Sequence, residues 1–261
     1  PPLEEMEVQF RSSTWNHLDG QMPLSLVNRM TRPRGGNVGL GFMTVSVETA
    51  LRDLVAKQQG QPLYRVLGGE NPQVRAYASS LDFRLDDDQF RKKLQRFRNM
   101  GFTSLKTKVA HPDISWDLRR LGIAKEVFGV EGHFMVDANE GWDLQTAMEM
   151  CEWLSGKNIE FVEQPMPADQ LDKTAILRSS SPIPIFADEN CMTSQDIPTI
   201  AHAFHGINIK LMKCGCLLEA KKMIETARKH DLQIMLGCMV ESSVGITAAA
   251  HLSPLVDFAD L

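Results

Sequence analysis

A βα-barrel is the fold this sequence predicts, and three observations predict it. Strand-like and helix-like segments alternate from residue 74 to the end, giving eight strands with seven helices between them. Alternation of this kind makes a parallel sheet with helices outside, and eight repeats point to closure. The 261 residues suffice for such a barrel, which typically takes about 250. Finally, an open doubly wound sheet would usually carry a glycine-rich phosphate loop after its first strand. Here that strand runs into Ser79-Ser80-Leu81-Asp82, with no glycine.

In order, the strands are expected at 74–81, 104–110, 133–139, 159–164, 183–188, 207–213, 232–239 and 256–260. Helical period falls at 86–100, 116–128, 144–156, 170–179, 194–204, 217–230 and 243–251. Ahead of the barrel, 45–59 reads as an amphipathic helix, because Val47, Ala50, Leu51, Leu54 and Val55 recur at helical spacing. A turn-rich Pro62-Leu63-Tyr64-Arg65-Val66-Leu67-Gly68-Gly69 follows it, and Arg32 to Asn37 precedes it as a loop. The chain therefore divides into a smaller, mostly helical piece at 1–73 and a barrel at 74–261.

Composition excludes several classes. A net charge of −5 disfavours a nucleic-acid partner. No apolar run reaches the roughly 20 residues a membrane span needs, and no signal peptide is recognised. Five cysteines (Cys151, Cys191, Cys214, Cys216, Cys238) show no disulfide spacing, so a reducing, cytoplasmic setting is expected. Cys214-Gly215-Cys216 lacks the partner pair of a metal or redox motif and reads as packing.

Chemistry in a βα-barrel collects at the carboxyl ends of the strands. The third, fourth and fifth strands deliver Asp137, Glu163 and Asp188 there, each after an apolar run and spaced by 26 and 25 residues. One acid after a strand more often caps the next helix. Three in register converge, and they repel unless a cation sits among them. Oxygen-only donors suit Mg²⁺ or Mn²⁺ rather than Zn²⁺.

Lysines flank the acids. Side chains alternate along a strand, so Lys106 and Lys108 of strand two share the inward face, and strand six carries Lys210 on the opposite side. A substrate carboxylate among the acids would have a lysine on each face of its α-carbon. Lysine at its ordinary pKa of about 10.4 is a poor base, and a nearby cation with desolvation lowers it. Lys213 reads equally as a solvated surface charge.

Lys-Thr-Lys (106–108), Val-Asp-Ala-Asn-Glu-Gly-Trp (136–142), Val-Glu-Gln-Pro (162–165), Ala-Asp-Glu-Asn (187–190) and Asn-Ile-Lys-Leu-Met-Lys-Cys-Gly (208–215) together resemble the enolase superfamily, specifically its muconate-lactonising subgroup. The resemblance covers nearly all of 45–261. It implies a barrel of seven βα units with a closing strand, plus a capping domain. It implies Asp137, Glu163 and Asp188 as Mg²⁺ ligands and Lys108 and Lys210 as the acid/base pair. It also implies Lys106 on the substrate carboxylate, and Asn139 and Glu189 orienting the ligands.

The stretch from Gly237 to His251 looks like the dipeptide epimerases, and Phe258-Ala259-Asp260-Leu261 like the start of their Asp-x-Asp motif. That implies Asp260 on the substrate ammonium, with the second acid falling at position 262. The capping strands and the loop that closes over substrate are not recognisable in 1–73, and Leu26 to Asn37 looks more like the capping helices of acid-sugar dehydratases. An incomplete capping domain is therefore expected. The expected function is a two-lysine 1,1-proton transfer on a small carboxylate substrate, a dipeptide, through an enediolate. A muconate-type cycloisomerase, an o-succinylbenzoate synthase or an N-acylamino acid racemase would use the same lysines and metal. A non-catalytic metal- or ligand-binding barrel is the reading of another class. A mandelate-racemase-like reading would want a His after strand seven, where Met239-Val240-Glu241 stands. Superfamily members are often dimers or octamers, which leaves a homo-oligomer open.

Overall fold

The computed structural model describes residues 38–71, 73–80, 85–109 and 111–261. Eight parallel strands follow one another around a single sheet. They are β1 (Ala78–Ser80), β2 (Ser104–Lys108), β3 (His133–Asp137), β4 (Ile159–Glu163), β5 (Ile185–Ala187), β6 (Gly206–Lys210), β7 (Gln233–Gly237) and β8 (Phe258–Asp260). Residues just ahead of β1 close the sheet onto β8. Ala76 bridges Ala259, the Tyr77 N–H donates to the Ala259 carbonyl at 3.0 Å, and the Ala259 N–H donates to Arg75 at 3.3 Å.

Helices α1 (Val38–Gln58) and α2 (Leu63–Val66) precede the barrel. Around it lie α3 (Asp87–Asn99), α4 (Ile114–Phe128), α5 (Leu144–Leu154), α6 (Leu171–Ser180), α7 (Ile197–Ile200), α8 (Leu211–Cys214), α9 (Leu217–Lys229) and α10 (Ser243–Ala250). Local chemistry starts several of them. Asp86, Asp113 and Asp143 accept the N–H groups of Gln89, Ser115 and Thr146, which supplies acceptors for otherwise orphaned helix donors. Among the described residues no helix is long and apolar enough to cross a membrane.

Strand periodicity builds the barrel interior in layers. The lower layer is apolar: Tyr77, Met135, Phe161, Phe186 and Met235 are buried together with Phe258 packed on them. The Phe161 and Phe186 rings stack with centroids 3.8 Å apart. Gly206 lies against the Phe186 ring so closely that any Cβ would overlap it, so β6 must begin with glycine. Two residues further along β3, β4 and β8 the same inward face delivers Asp137, Glu163 and Asp260. The aromatic plug thus shuts the lower end and leaves the chemistry at the upper one.

The eight-strand expectation is met, and several bounds differ. The strand expected at 207–213 ends at Lys210, and Leu211–Cys214 turns into α8, closed by Gly215 at φ 87°. The helix expected at 194–204 shrinks to Ile197–Ile200, with Pro198 in its first turn, where a missing N–H donor is tolerated. The first strand keeps only Ala78–Ser80 of 74–81, and α1 begins at Val38 rather than 45. The loop expected at 32–37 and the dehydratase-like segment 26–37 lie outside the described residues.

Helix α1 docks on α8 and α9. Its Glu48 is fully buried and accepts the backbone N–H groups of Leu217, without which the first turn of α9 would be unsatisfied, and of Leu218 at 3.1 Å. Arg52, one turn on, pairs with the same carboxylate. Glu48→Ala removes acceptors from three buried donors and is expected to cost about 2–4 kcal/mol, read as a lower denaturation midpoint at unchanged slope. A second expectation concerns pH. His205 accepts the Ile185 N–H on Nδ1 at 3.0 Å, and burial, then the Arg178 charge, holds its imidazole below the usual value. The unfolded chain therefore binds that proton more readily than the native one. Stability is full above the ordinary value of about 6.5 and is lost as pH falls through it toward the lower native value. Urea midpoints should drop from pH 7 to 5, and less steeply in His205→Gln.

Candidate active site

Parallel pairing sets the acids side by side. Lys108 of β2 pairs in register with Asp137 of β3, and Asp137 with Glu163 of β4. Asp188 follows β5 directly, and Lys210 of β6 aligns through Gly237 with Asp260 of β8. None of Asp137, Glu163 and Asp188 caps the helix that follows: Asp143, Gln170 and Asp196 occupy those positions. The capping explanation for the three acids therefore fails, and their carboxylates are free for the barrel mouth.

Charges meet there with little water. Lys106, Asp137, Glu163, Asp188, Lys210 and Asp260 are all buried. The Lys106 ammonium lies 2.6 Å from Glu163 Oε2, 3.2 Å from Asp260 Oδ2 and 3.6 Å from Asp137 Oδ2. Lys210 Nζ is 2.7 Å from Asp188 Oδ2. Lys213 donates to the other oxygen of that carboxylate and, at 2.6 Å, to the Asp188 carbonyl. Asn208 Nδ2 donates to Glu163 Oε1 at 2.7 Å.

Protonation follows from these neighbours. Burial pulls the Lys106 ammonium down, but Glu163, Asp260 and Asp137 outweigh it and hold the group well above its ordinary value. Lys210 shows the same contest, with burial overcome by Asp188 and then Glu163, and ends raised. The lowering expected from the sequence belongs to a lysine beside a bound cation; here the charges nearest Lys106 and Lys210 are carboxylates, which hold both as ammonium. Glu163 is pushed up to about 7, first by burial and then by Asp137, with Asp188 adding to it. Asp188 is held low: burial opposes, and Lys213 and then Lys210 prevail. Burial and then the Asp188 charge push Glu189 up.

Among the described residues no three His, Cys, Asp or Glu groups stand together as a ready-made metal cluster. The lysines occupy the carboxylate oxygens instead. The donor set nevertheless fits a hard divalent cation. Glu163 feels the charge of both Asp137 and Asp188, and all three offer oxygen. Two buried oxygens flanking the acids, Asn139 Oδ1 and Glu189 Oε2, have no hydrogen-bond partner among the described residues.

Of the residues expected at the mouth, Lys106, Asp137, Glu163, Asp188, Lys210 and Asp260 are buried at or near the strand ends, and Lys108 is half-buried at the end of β2, in backbone register with Asp137. For Asn139 it is the main-chain N–H, donating to Asp137 Oδ1 at 3.0 Å, that meets the acid. Lys213 is corrected: its side chain is 13% exposed and bound to Asp188, because the chain turns into α8 and swings it inward. Asn208 and Gln164 were quoted within motifs without a role. Alternation alone could have flagged Asn208, two residues before Lys210 on the same face. The five cysteines are all free, and Cys216 Sγ accepts the Glu219 N–H at the start of α9, a packing role as expected.

The family described as enolase C-terminal domain-like matches residues 89–260. An L-Ala-D/L-Glu epimerase of Bacteroides thetaiotaomicron is 39% identical over 219 residues, which cover 83% of this chain and 55% of that protein. A hydrophobic dipeptide epimerase of Roseobacter litoralis is 38% identical over 83% of this chain and 63% of its own. The chain thus spans less than two thirds of the length of these relatives. The crystal structure of a dipeptide epimerase from Enterococcus faecalis, complexed with Mg and the dipeptide L-Leu-L-Tyr, superposes with a TM-score of 0.80 at 30% identity, over 91% of this chain and 67% of that one.

Gly237 tests the packing of the site. A Cβ there would lie 2.5 Å from Asn208 Oδ1 and 2.8 Å from its Nδ2. Gly237→Ala must therefore displace Asn208 from Glu163. A loss of about 1–3 kcal/mol is expected from overpacking, with the Asn208→Ala and Gly237→Ala effects failing to add in a double-mutant cycle.

Proposed function

The chain belongs to the enolase superfamily through its enolase C-terminal domain-like region, and we propose that it is a Mg²⁺-dependent epimerase of dipeptides. The observation that carries this reading is the placement of two lysines, Lys108 on β2 and Lys210 on β6, four strands apart around an eight-strand ring with the acids of β3, β4 and β5 between them. Opposed lysines suit removal of a proton from one face of a carbon and its return to the other. Similarity to the two epimerases and to the dipeptide-bound neighbour supports the same reading.

In this scheme Asp137, Glu163 and Asp188 hold the metal, for which Mn²⁺ is the other hard cation of suitable chemistry. Bound Mg²⁺ supplies positive charge at the substrate carboxylate and so favours loss of the adjacent proton. Lys106 orients the carboxylate. One of Lys108 and Lys210 takes the α-proton, and the other donates a proton to the opposite face, which inverts the centre. Asp260 receives the substrate ammonium, for which an anion on β8 is the fitting partner. Asn139 and Glu189 support the ligands. We divide the chain into a partial capping region at 1–73 and the barrel at 74–261, and the free thiols suit a cytoplasmic setting.

Proton NMR in D₂O with Mg²⁺, with L-Ala-L-Glu and L-Leu-L-Tyr as first substrates, tests the proposal. Loss of an α-proton signal with growth of the other diastereomer is expected, and both cease in EDTA. Lys108→Ala and Lys210→Ala should each lower epimerisation by about 10²–10⁴-fold. Full turnover by either variant overturns the two-base scheme, and exchange with N-acylamino acids alone would move the substrate class.

A further inference from the structure

Gln164 is fully buried between two of the acids, directly after Glu163. Its backbone is left-handed, φ 37°, a conformation that a non-glycine residue holds only when its surroundings enforce it. Every polar group of the residue is used. Its N–H donates to the Phe186 carbonyl on β5 at 2.8 Å, and its carbonyl accepts from Glu140, in the loop after Asp137, at 2.8 Å. Side-chain Oε1 accepts the Asp188 N–H at 2.9 Å and the Asn190 N–H at 3.4 Å. Side-chain Nε2 donates to the Met166 carbonyl at 2.9 Å and to Asn190 Oδ1 at 2.6 Å. The main chain of Gln164 thus reaches the loop after Asp137, and its carboxamide ties the segment after Glu163 to the one that carries Asp188.

We infer that Gln164 is a positioning residue for the metal-binding acids, fixing Asp188 by holding its main-chain N–H. The inference rests on the reading of Asp188 as a metal ligand. Lys213 grips the other side of the same residue at its carbonyl, so Asp188 is clamped at both peptide groups. Only a carboxamide meets the need, since the site asks for an acceptor toward two N–H groups and a donor toward two oxygens at once. A carboxylate would lack the donors, and an aliphatic chain would leave all four partners unpaired.

Calorimetric titration of Mg²⁺ into wild type, Gln164→Met, Asn190→Ala and Asp188→Asn, with thermal unfolding of each in EDTA, tests this. Gln164→Met should remain folded at the titration temperature and bind Mg²⁺ about 10–100-fold more weakly, as when ligand-supporting groups are lost. Asn190→Ala keeps the bond to the Asp188 N–H and should stay within about threefold of wild type. Should Gln164→Met fail to fold, Gln164→Asn carries the same expectation, because it tolerates the left-handed backbone and is too short to reach Asp188. A lower melting temperature with unchanged Mg²⁺ affinity, while Asp188→Asn is weakened, makes Gln164 merely structural and overturns the inference alone. Undiminished binding by Asp188→Asn, or no binding by wild type, refutes the metal-site reading and this inference with it.

Discussion

Charge balance among buried groups is the constraint on which the rest of the barrel mouth depends. Four acids, Asp137, Glu163, Asp188 and Asp260, are set against three lysines, Lys106, Lys210 and Lys213, with ion-pair contacts linking them. Isolated, each of these groups would be expensive to bury. Together they come close to neutrality, and Glu163, pushed toward neutral pH, absorbs the remainder. The arrangement also explains the direction of the lysine shifts. Carboxylates at 2.6–3.2 Å stabilise the ammonium form, so a lysine here becomes a base only when positive charge enters the cluster and takes over those oxygens. In the proposed scheme acid/base chemistry and cation binding are therefore linked through the same carboxylates.

The interior layering makes that cluster affordable. Phe161 and Phe186 stack at 3.8 Å beneath it, and Gly206 and Gly237 give up their side chains so that Phe186 and Asn208 can fit. The fold was legible because strand-helix alternation and strand-end acids are local patterns. The acids and lysines were legible for the same reason: period two puts Met135 and Asp137, or Phe161 and Glu163, on one face. Lys213 and Gln164 were not, because their roles come from partners 24 to 26 residues away in the chain. No local pattern distinguishes a lysine that turns inward on α8 from one that points to solvent. The overlong sixth strand arose from the same limit, since Leu211 and Met212 follow Ile207 and Ile209 with nothing local to mark the turn into α8 after Lys210.

Helix α1 shows how the segment ahead of the barrel reaches the site. It packs on α8, the short helix that carries Lys213, and its Glu48 satisfies the first turn of α9. The short helix bearing Lys213, which follows Lys210 directly, is thereby held between β6 on one side and α1 on the other. Removing a cap at that place would loosen the two lysines that grip Asp188 as well as the helix itself.

A barrel that merely bound a metal-carboxylate complex would gain nothing from this arrangement. Binding an anionic ligand requires positive charge at the carboxylate, which Lys106 and a cation provide on their own. Lys210 sits on the far side of the ring from β2, buried and paired with Asp188 at 2.7 Å. That position costs desolvation and, by neutralising Asp188, competes with the cation such a binder would need to keep. The proposed epimerisation gives that ammonium a task on the face of the substrate opposite Lys108. A site built only for retention needs no second lysine across the ring, and an apolar wall in place of Lys210 would spare the desolvation that its burial costs.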